Sequence, residues 1–364
     1  MSENLIYGAN ITDYGAVADG KTDCRDAFIK AIENGESLIV VPYGKYIIKK
    51  TIKLNSNTKI HLHPNAHIIF DHESDENAPL FYAEDASSVE ICGGKLVIQD
   101  TSEKRVDKML HFKNTSCIRI RNCDMSMFES NAVILDSCED VRISNCVIKS
   151  YSFAISLTGE CDDITVKNSE VSTAVFLNIG DNDKKGNISQ LNIRNITLKN
   201  PLHFINFFNG TARNVRCENI EGKIGFSFVS VNDGFNMEDA DFENIDIHSV
   251  SHFNGGSNIA YFNFRGSIDG LEITGFKRNT ECEAVPFVPT LIFKASDNSK
   301  AIIDGMSLDH VINARALSKT VDMTTARLTN PTNKFIYTLE CGIKKNDTLT
   351  IPLGDFDNLT IYKR

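Results

Sequence analysis

Three aspartates in comparable surroundings, Asp136, Asp181 and Asp233, are the residues best placed for acid–base chemistry. Each follows a short run of alternating apolar and polar residues. One carboxylic acid can protonate a leaving oxygen while a second carboxylate activates water. Asp at a strand end is also a common turn former, and that role suits all three. Around them stand His111, Lys113, Asn178, His203, Asn206, Ser230, Asn232, Tyr261, Asn263 and Arg265. Such side chains hydrogen-bond hydroxyl groups, and the cations pair with carboxylates. His203 is a further candidate acid or base. Lys113 and Arg265 are the candidate bases for an elimination, although several repeats separate them. His61 and His63 form a His-x-His pair, a weak metal signal by itself, and no DxDxDG calcium loop is present. The expectation is no metal ligand set and no cofactor.

These residues hang on a repeat. The segments SCIRIRNC (116–123), EDVRISNC (139–146), DDITVKNS (162–169), SQLNIRNI (189–196), RNVRCENI (213–220) and EDADFENI (238–245) are six copies of one unit. Their shared Asn is Asn122, Asn145, Asn168, Asn195, Asn219 and Asn244, at spacings of 23, 23, 27, 24 and 25 residues. Weaker copies carry Gly93, Gly275 and Gly305 in its place. Period-2 alternation within each copy means short strands with one buried face. Strands repeating at this interval with a fixed turn residue make a β-solenoid. Asn and Gly both tolerate left-handed φ, and stacked Asn side chains can hydrogen-bond along the solenoid. A buried ladder is expected, so Asn168→Val should leave a buried turn unsatisfied. In the strands after each ladder turn, Val133, Ile155, Leu177, Ile205 and Val229 form one inward row. Leu135, Leu157, Ile179, Phe207 and Val231 form the next. The candidate residues alternate with them and face outward.

Composition narrows the partners. The 364 residues carry 38 Lys+Arg against 48 Asp+Glu, a formal net charge of -10. Nucleic acid and anionic membrane are therefore disfavoured. No apolar run reaches the roughly 18–20 residues of a membrane span. The opening MSENLIYGANITDYG has no basic n-region or apolar h-region, so no secretory signal is expected. This fits a cytoplasmic protein or one exported by another route, with secretion or virion association left open. The ten cysteines form no CxxC pair and are expected as buried, reduced thiols. Tryptophan, a frequent platform for sugars, is absent.

The ladder resembles that of the pectate-lyase and pectin-lyase-like superfamily. So does Asp13-Tyr14-Gly15-Ala16, followed by Asp19-Gly20, Asp23, Ala27, Ala31-Ile32, Pro42, Gly44 and Tyr46, which is similar to the N-terminal cap of polygalacturonase-like proteins and phage tailspikes. The resemblance implies an all-β, single-stranded right-handed parallel β-helix with a short capping helix at about 24–34. It implies one domain over 1–364, with cap and first coils at 10–70, main coils at 71–312 and C-terminal strands at 313–364. It also implies a poly- or oligosaccharide partner, and a glycoside hydrolase as the leading activity. A glycan-binding or phage-tail-like adhesin is the alternative, and a polysaccharide lyase or epimerase the third. A homo-oligomer, specifically a trimer, belongs with the tail-like reading.

Polygalacturonase-type hydrolases carry Asn-Thr-Asp, Asp-Asp, Gly-His-Gly and Arg-Ile-Lys motifs. Aligned on VRISNC (141–146), those places fall on Glu129-Ser130-Asn131, Ser152-Phe153, Thr173-Ala174-Val175 and Asn206-Phe207-Phe208. None of the four motifs survives. Hydrolysis would then fall to Asp136, Asp181 and Asp233. Coils stack about 4.8 Å apart, so residues two coils apart lie about 9–10 Å apart. Inverting glycosidases use about 6.5–9.5 Å.

Overall fold

The structure is a computed structural model that describes residues 8–72, 78–99, 108–199 and 201–249, and beyond them short strands between 262 and 361. It is an all-β, right-handed parallel β-helix with one α-helix among the described residues. Two compact units, Met1–Ala174 and Val175–Arg364, make up the chain.

The first unit opens with the expected cap. The helix Arg25–Glu33 buries Ala27, Phe28, Ala31 and Ile32, and the Phe28 ring meets Phe81 edge-on at 6.2 Å between centroids. The cap motif performs structural work. Asp19 accepts hydrogen bonds from the Lys21 and Thr22 amides, both 2.8 Å, and closes the Asp19-Gly20 turn. Asp23 accepts from the amides of Arg25 and Lys49, tying the helix start to the end of strand Gly44–Ile48. Gly15 ends the preceding 3-10 turn at φ 98, where a side chain would be strained.

The coils then stack in strict register. Leu110, Val133 and Ile155 are neighbours in one inward row, and Phe112, Leu135 and Leu157 in the next. Ile118, Val141 and Ile164 do the same on the ladder strands, and all are buried. Each coil turns at left-handed residues. Asn122, Asn145 and Asn168 have φ of 58, 55 and 52, and Gly93 takes the same place at φ 83. Gly275 and Gly305 lie outside the described residues. Two further left-handed rows escaped the sequence reading, one through Asp85, Asn114 and Ser137, the other through Ser88, Cys117, Asp140 and Asp163.

The ladder is not buried as expected. Asn122, Asn145 and Asn168 are exposed, although Asn145 Nδ2 does donate to Asn122 Oδ1 at 3.2 Å. The constraint is therefore backbone conformation and not an unsatisfied interior turn. Asn145→Val should cost about 1–2 kcal/mol because a β-branched residue resists left-handed φ. Asn145→Gly should stay within a few tenths of a kcal/mol of wild type. Urea melts of the two variants check this.

Arg119 and Arg142 clamp the third row. Each guanidinium donates to the carbonyl and the carboxylate of the left-handed aspartate in the next coil, Asp140 and Asp163 respectively. The eight described cysteines are free thiols, and all but Cys92 and Cys117 are buried. Burial pushes the Cys138 thiol up to about 12 and Cys161 up to about 11. Cys282 and Cys341 lie outside the described residues.

In the second unit, Leu177, Ile205, Val229 and Phe262 form one inward row, and Ile179, Phe207 and Val231 align in the next. The front strands here, Val175–Ile179, His203–Phe207 and Ser227–Val231, also bury the residue before the first row. Phe176, Phe204 and Phe228 thus stack face to face at 5.1 and 4.6 Å. The C-terminal strands Leu291–Phe293, Ile312–Ala314, Phe335–Leu339 and Leu359–Ile361 continue the parallel pairing.

Candidate functional site

Parallel register concentrates polar side chains on the outward face of the front strands of the first unit. Tyr82 and Glu84 of Phe81–Glu84 pair with His111 and Lys113 of Lys108–Lys113. These pair in turn with Ile134 and Asp136 of Asn131–Asp136. Lys113 Nζ lies 2.7 Å from Glu84 Oε1, and the Tyr82 and His111 rings are 5.2 Å apart. The Lys113 hydrogen bond, with help from Tyr82, holds the Glu84 carboxyl below its usual range. Glu84 in return raises Lys113. Burial, then Glu84, raises the Tyr82 phenol.

His111 is the most perturbed group on this face. Burial pushes its pKa down to about 4; Lys108 and Lys113 act in the same direction, while Asp136 and Glu84 oppose them. Its imidazole is therefore neutral at pH 7 and can accept a proton or a hydrogen bond. A histidine whose folded pKa lies below its unfolded value binds more protons when unfolded. Its stabilising contribution is full above the unfolded value near 6.5 and is lost as pH falls toward 4. Asp136 and Glu84 face it and favour its charged form, but burial outweighs them. His111→Gln should therefore lose less Tm between pH 7 and pH 5 than wild type, as scanning calorimetry can test.

Two of the four places assigned to the hydrolase motifs, Glu129-Ser130-Asn131 and Ser152-Phe153, lie at the loops that lead into this face. Asn131 Oδ1 accepts from Ser152 Oγ at 2.8 Å and from the Phe153 amide at 3.2 Å. Ser150 Oγ donates to the Ser130 carbonyl at 2.6 Å. Amide and hydroxyl groups bonded to each other thus stand where an acid and a base would be required. Immediately before them, Phe128 and Tyr151 are 54% and 74% exposed, with ring centroids 5.0 Å apart. They form an exposed aromatic pair in a chain without tryptophan.

The second unit treats its predicted residues differently. Asn178 is buried; its Nδ2 donates to the Gly180 carbonyl at 2.7 Å and its Oδ1 accepts from Asn206 Nδ2 at 2.8 Å. Ser230 and Asn263 lie in the same register row and are buried too. In the first unit, Ser156 and Thr158 are likewise buried. This row is thus not the solvated face expected from alternation. His203 is half-buried, its pKa lowered by burial, and its ring stacks on Phe226 at 5.7 Å. The Asn232 backbone bonds to the Phe207 carbonyl and to the Phe235 amide. Tyr261 and Arg265 lie outside the described residues.

The three aspartates also separate by role. Asp136 is half-buried on the first unit's front face and accepts from Ser137 Oγ at 3.1 Å. Asp181 is exposed, and its carboxylate accepts from the amides of Asp183 and Lys184 at 2.9 and 2.6 Å, as a turn former does. Asp233 is exposed in the turn before Gly234.

Tyr82 and Glu84 were missing from the sequence-based set. Their signal was the alternation in FYAE (81–84), one coil upstream of the first residue named. A hollow of about 360 Å³ lies elsewhere, on the ladder strands of the second unit, lined by Asn195, Thr197, Asn219, Glu221, Asn244 and Asp246. Its ladder amides bond one another, as Asn219 does to Asn195 at 3.1 Å. Perturbed acidity and exposed aromatics both favour the front face of the first unit.

Residues 8–268 match the family described as rhamnogalacturonase A/epimerase, pectate lyase-like. The chain belongs to this family. Among solved structures, this rhamnogalacturonase A/epimerase-like chain is similar to the Streptococcus pneumoniae surface protein and adhesin PfbA. The TM-score is 0.63 and the identity 14%, over 92% of this chain and 98% of that one. It is also similar to a Yersinia enterocolitica Family 28 exopolygalacturonase, with a TM-score of 0.53 and 12% identity over 94% and 79% of the two chains. At these identities the likeness is one of fold. A pre-neck appendage protein of Bacillus phage B103 is 46% identical over 60 residues, which is 16% of this chain and 7% of the relative. The matched stretch is thus a small part of the phage protein. No helix among the described residues is long and apolar enough to cross a membrane.

Proposed function

We propose that the chain is a polysaccharide-binding protein that holds its glycan on the outward front face of the first unit, without polygalacturonase-type hydrolysis. The observation that carries this reading is the Asn131–Ser152–Phe153 hydrogen-bond set at the entrance. It occupies the places of the hydrolytic carboxylates and leaves a polar face of Tyr82, Glu84, His111, Lys113 and Asp136 beyond it. Phenol, imidazole, ammonium and carboxylate groups hydrogen-bond sugar hydroxyls, and Lys113 can pair with a uronate. The likeness to an adhesin and the short match to a phage appendage protein support a role at a cell or virion surface. One fold hosts many functions, so the site and not the family carries the argument.

Hydrolysis is the second reading, and Asp136 favours it. It is half-buried on the same face, directly across from Lys113 and electrostatically coupled to His111. Asp181 and Asp233 complete the set proposed from the sequence. A panel of plant, bacterial and host glycans separates the readings when binding, new reducing ends and the absorbance of unsaturated uronates are followed together. Binding without product is the expected result. New reducing ends that vanish in Asp136→Asn would establish the hydrolase instead, and uronate absorbance would establish a lyase.

A further inference from the structure

The ladder strands of the first unit carry a cluster that glycan binding on the front face does not use. His61 of Lys59–Leu62 stands directly across from Cys92 of Ser87–Cys92, with Glu90 on the same outward face two residues earlier. One donor atom from each, an imidazole nitrogen, a carboxylate oxygen and the thiol sulfur, lie within 4.8 Å of one another. His61 Nε2 is 2.7 Å from Glu90 Oε1. The two side chains are 19% and 13% exposed, on regular paired strands. His63, the other half of the sequence pair, turns elsewhere. Its Nδ1 accepts from the Asn65 amide, and its ring meets Tyr43.

The geometry points to a zinc-binding site formed by His61, Glu90 and Cys92, with solvent as the fourth ligand. Imidazole, carboxylate and thiolate together suit a borderline-soft divalent cation, and exclude the all-oxygen shells of calcium and magnesium. Zinc bonds of about 2.0–2.3 Å place tetrahedral donors about 3.3–3.8 Å apart. The cluster therefore needs the His61–Glu90 hydrogen bond to open, Arg121 to leave Glu90, and the sulfur to move in from its 3.9 Å contact with Asn122 Nδ2. Cys92 supports this use. Six of the eight described cysteines are buried as small apolar groups, whereas Cys92 faces outward beside a histidine and a carboxylate. On binding, its thiol gives its proton to solvent and the sulfur bonds the ion.

Arg121 is the competing cation. Its guanidinium donates to Glu90 Oε1 from both Nε and Nη2, and its side chain is 48% exposed. Zinc must displace it, and the long side chain has open solvent in which to move. Arg121→Gln should therefore tighten metal binding, since it removes both a like charge and a rival for Glu90.

Cobalt(II) titration of the whole chain, under a reductant that does not chelate metal, reads the site directly. The expected result is a saturable thiolate-to-cobalt charge-transfer band at one equivalent, bleached by added zinc. Cys92→Ser should abolish the band, and Cys117→Ser, at the other partly exposed thiol among the described residues, should leave it intact. His61→Ala should weaken binding by more than the roughly 10–100-fold that losing a supporting outer-shell group costs. Circular dichroism melts of the same samples establish that each variant is folded. Absence of a saturable band in the folded wild type, or a band that survives Cys92→Ser, would overturn the proposal.

Discussion

Phe204→Ala is expected to destabilise the second unit by about 3–5 kcal/mol. Phe204 is the middle ring of the Phe176–Phe204–Phe228 stack and is wholly buried, with neighbours at 5.1 and 4.6 Å lying within 9° of parallel. Removing it takes away the apolar area of one large side chain and strands both partners over a cavity. Adjacent coils cannot close that gap, because Ile205 is fixed in register between Leu177 and Val229. Phe204→Leu keeps most of the volume and should cost clearly less. Denaturant melts that follow the second unit would decide. A loss below about 1 kcal/mol for the alanine variant would mean that the coils do relax to close the cavity.

Gly180→Ala is expected to cost about 2–4 kcal/mol, from left-handed strain and overpacking together. Gly180 sits at φ 72, and a Cβ there would lie 1.9 Å from the Asn209 carbonyl oxygen, a backbone atom that cannot swing aside. The Gly180 carbonyl also receives the Asn178 amide, which in turn holds Asn206. The substitution should thus loosen a buried polar pair as well as a turn. Gly15→Ala is the comparison, since it shares positive φ but a Cβ there meets nothing within 4 Å. If both variants lose the same stability, backbone strain alone explains the effect, and the close approach to Asn209 is unimportant.

The fold was legible because solenoid packing writes itself into local sequence. Every coil needs the same apolar places and the same left-handed corner, so SCIRIRNC and EDVRISNC resemble each other and the inward rows follow by subtraction. The ladder's exposure was not legible, because Asn suits a left-handed corner in or out of water. Strict alternation failed at the strand starts, where Ala132 and Val133, or Phe204 and Ile205, are buried as consecutive pairs at a corner. It failed again at Asn178 and Ser230, outward by period but covered. The clamps of Arg119 and Arg142 could not be seen in the sequence, because their partners, Asp140 and Asp163, lie 21 residues further along the chain.

The site was legible in part. His111, Lys113 and Asp136 were named from the outward positions, and the structure gathers them on one face. Tyr82 and Glu84 were passed over because the coil Phe81–Glu84 lies upstream of the clear ladder copies. Asp181 and Asp233 followed the same strand-end pattern as Asp136, yet spacing alone could not distinguish a turn-forming carboxylate from one set on a sheet face.

The account rests on the first unit's front face as the glycan surface, and affinity measured across that face tests it most directly. With a glycan retained by the wild type, calorimetric titration should show Tyr82→Ala and His111→Ala each weakening binding about 10–30-fold, or about 1.4–2 kcal/mol. Thr197→Ala, in the hollow of the second unit, should bind like wild type. Unchanged affinity in both front-face variants, with a loss in Thr197→Ala, would contradict the account and move the glycan to the ladder-side hollow.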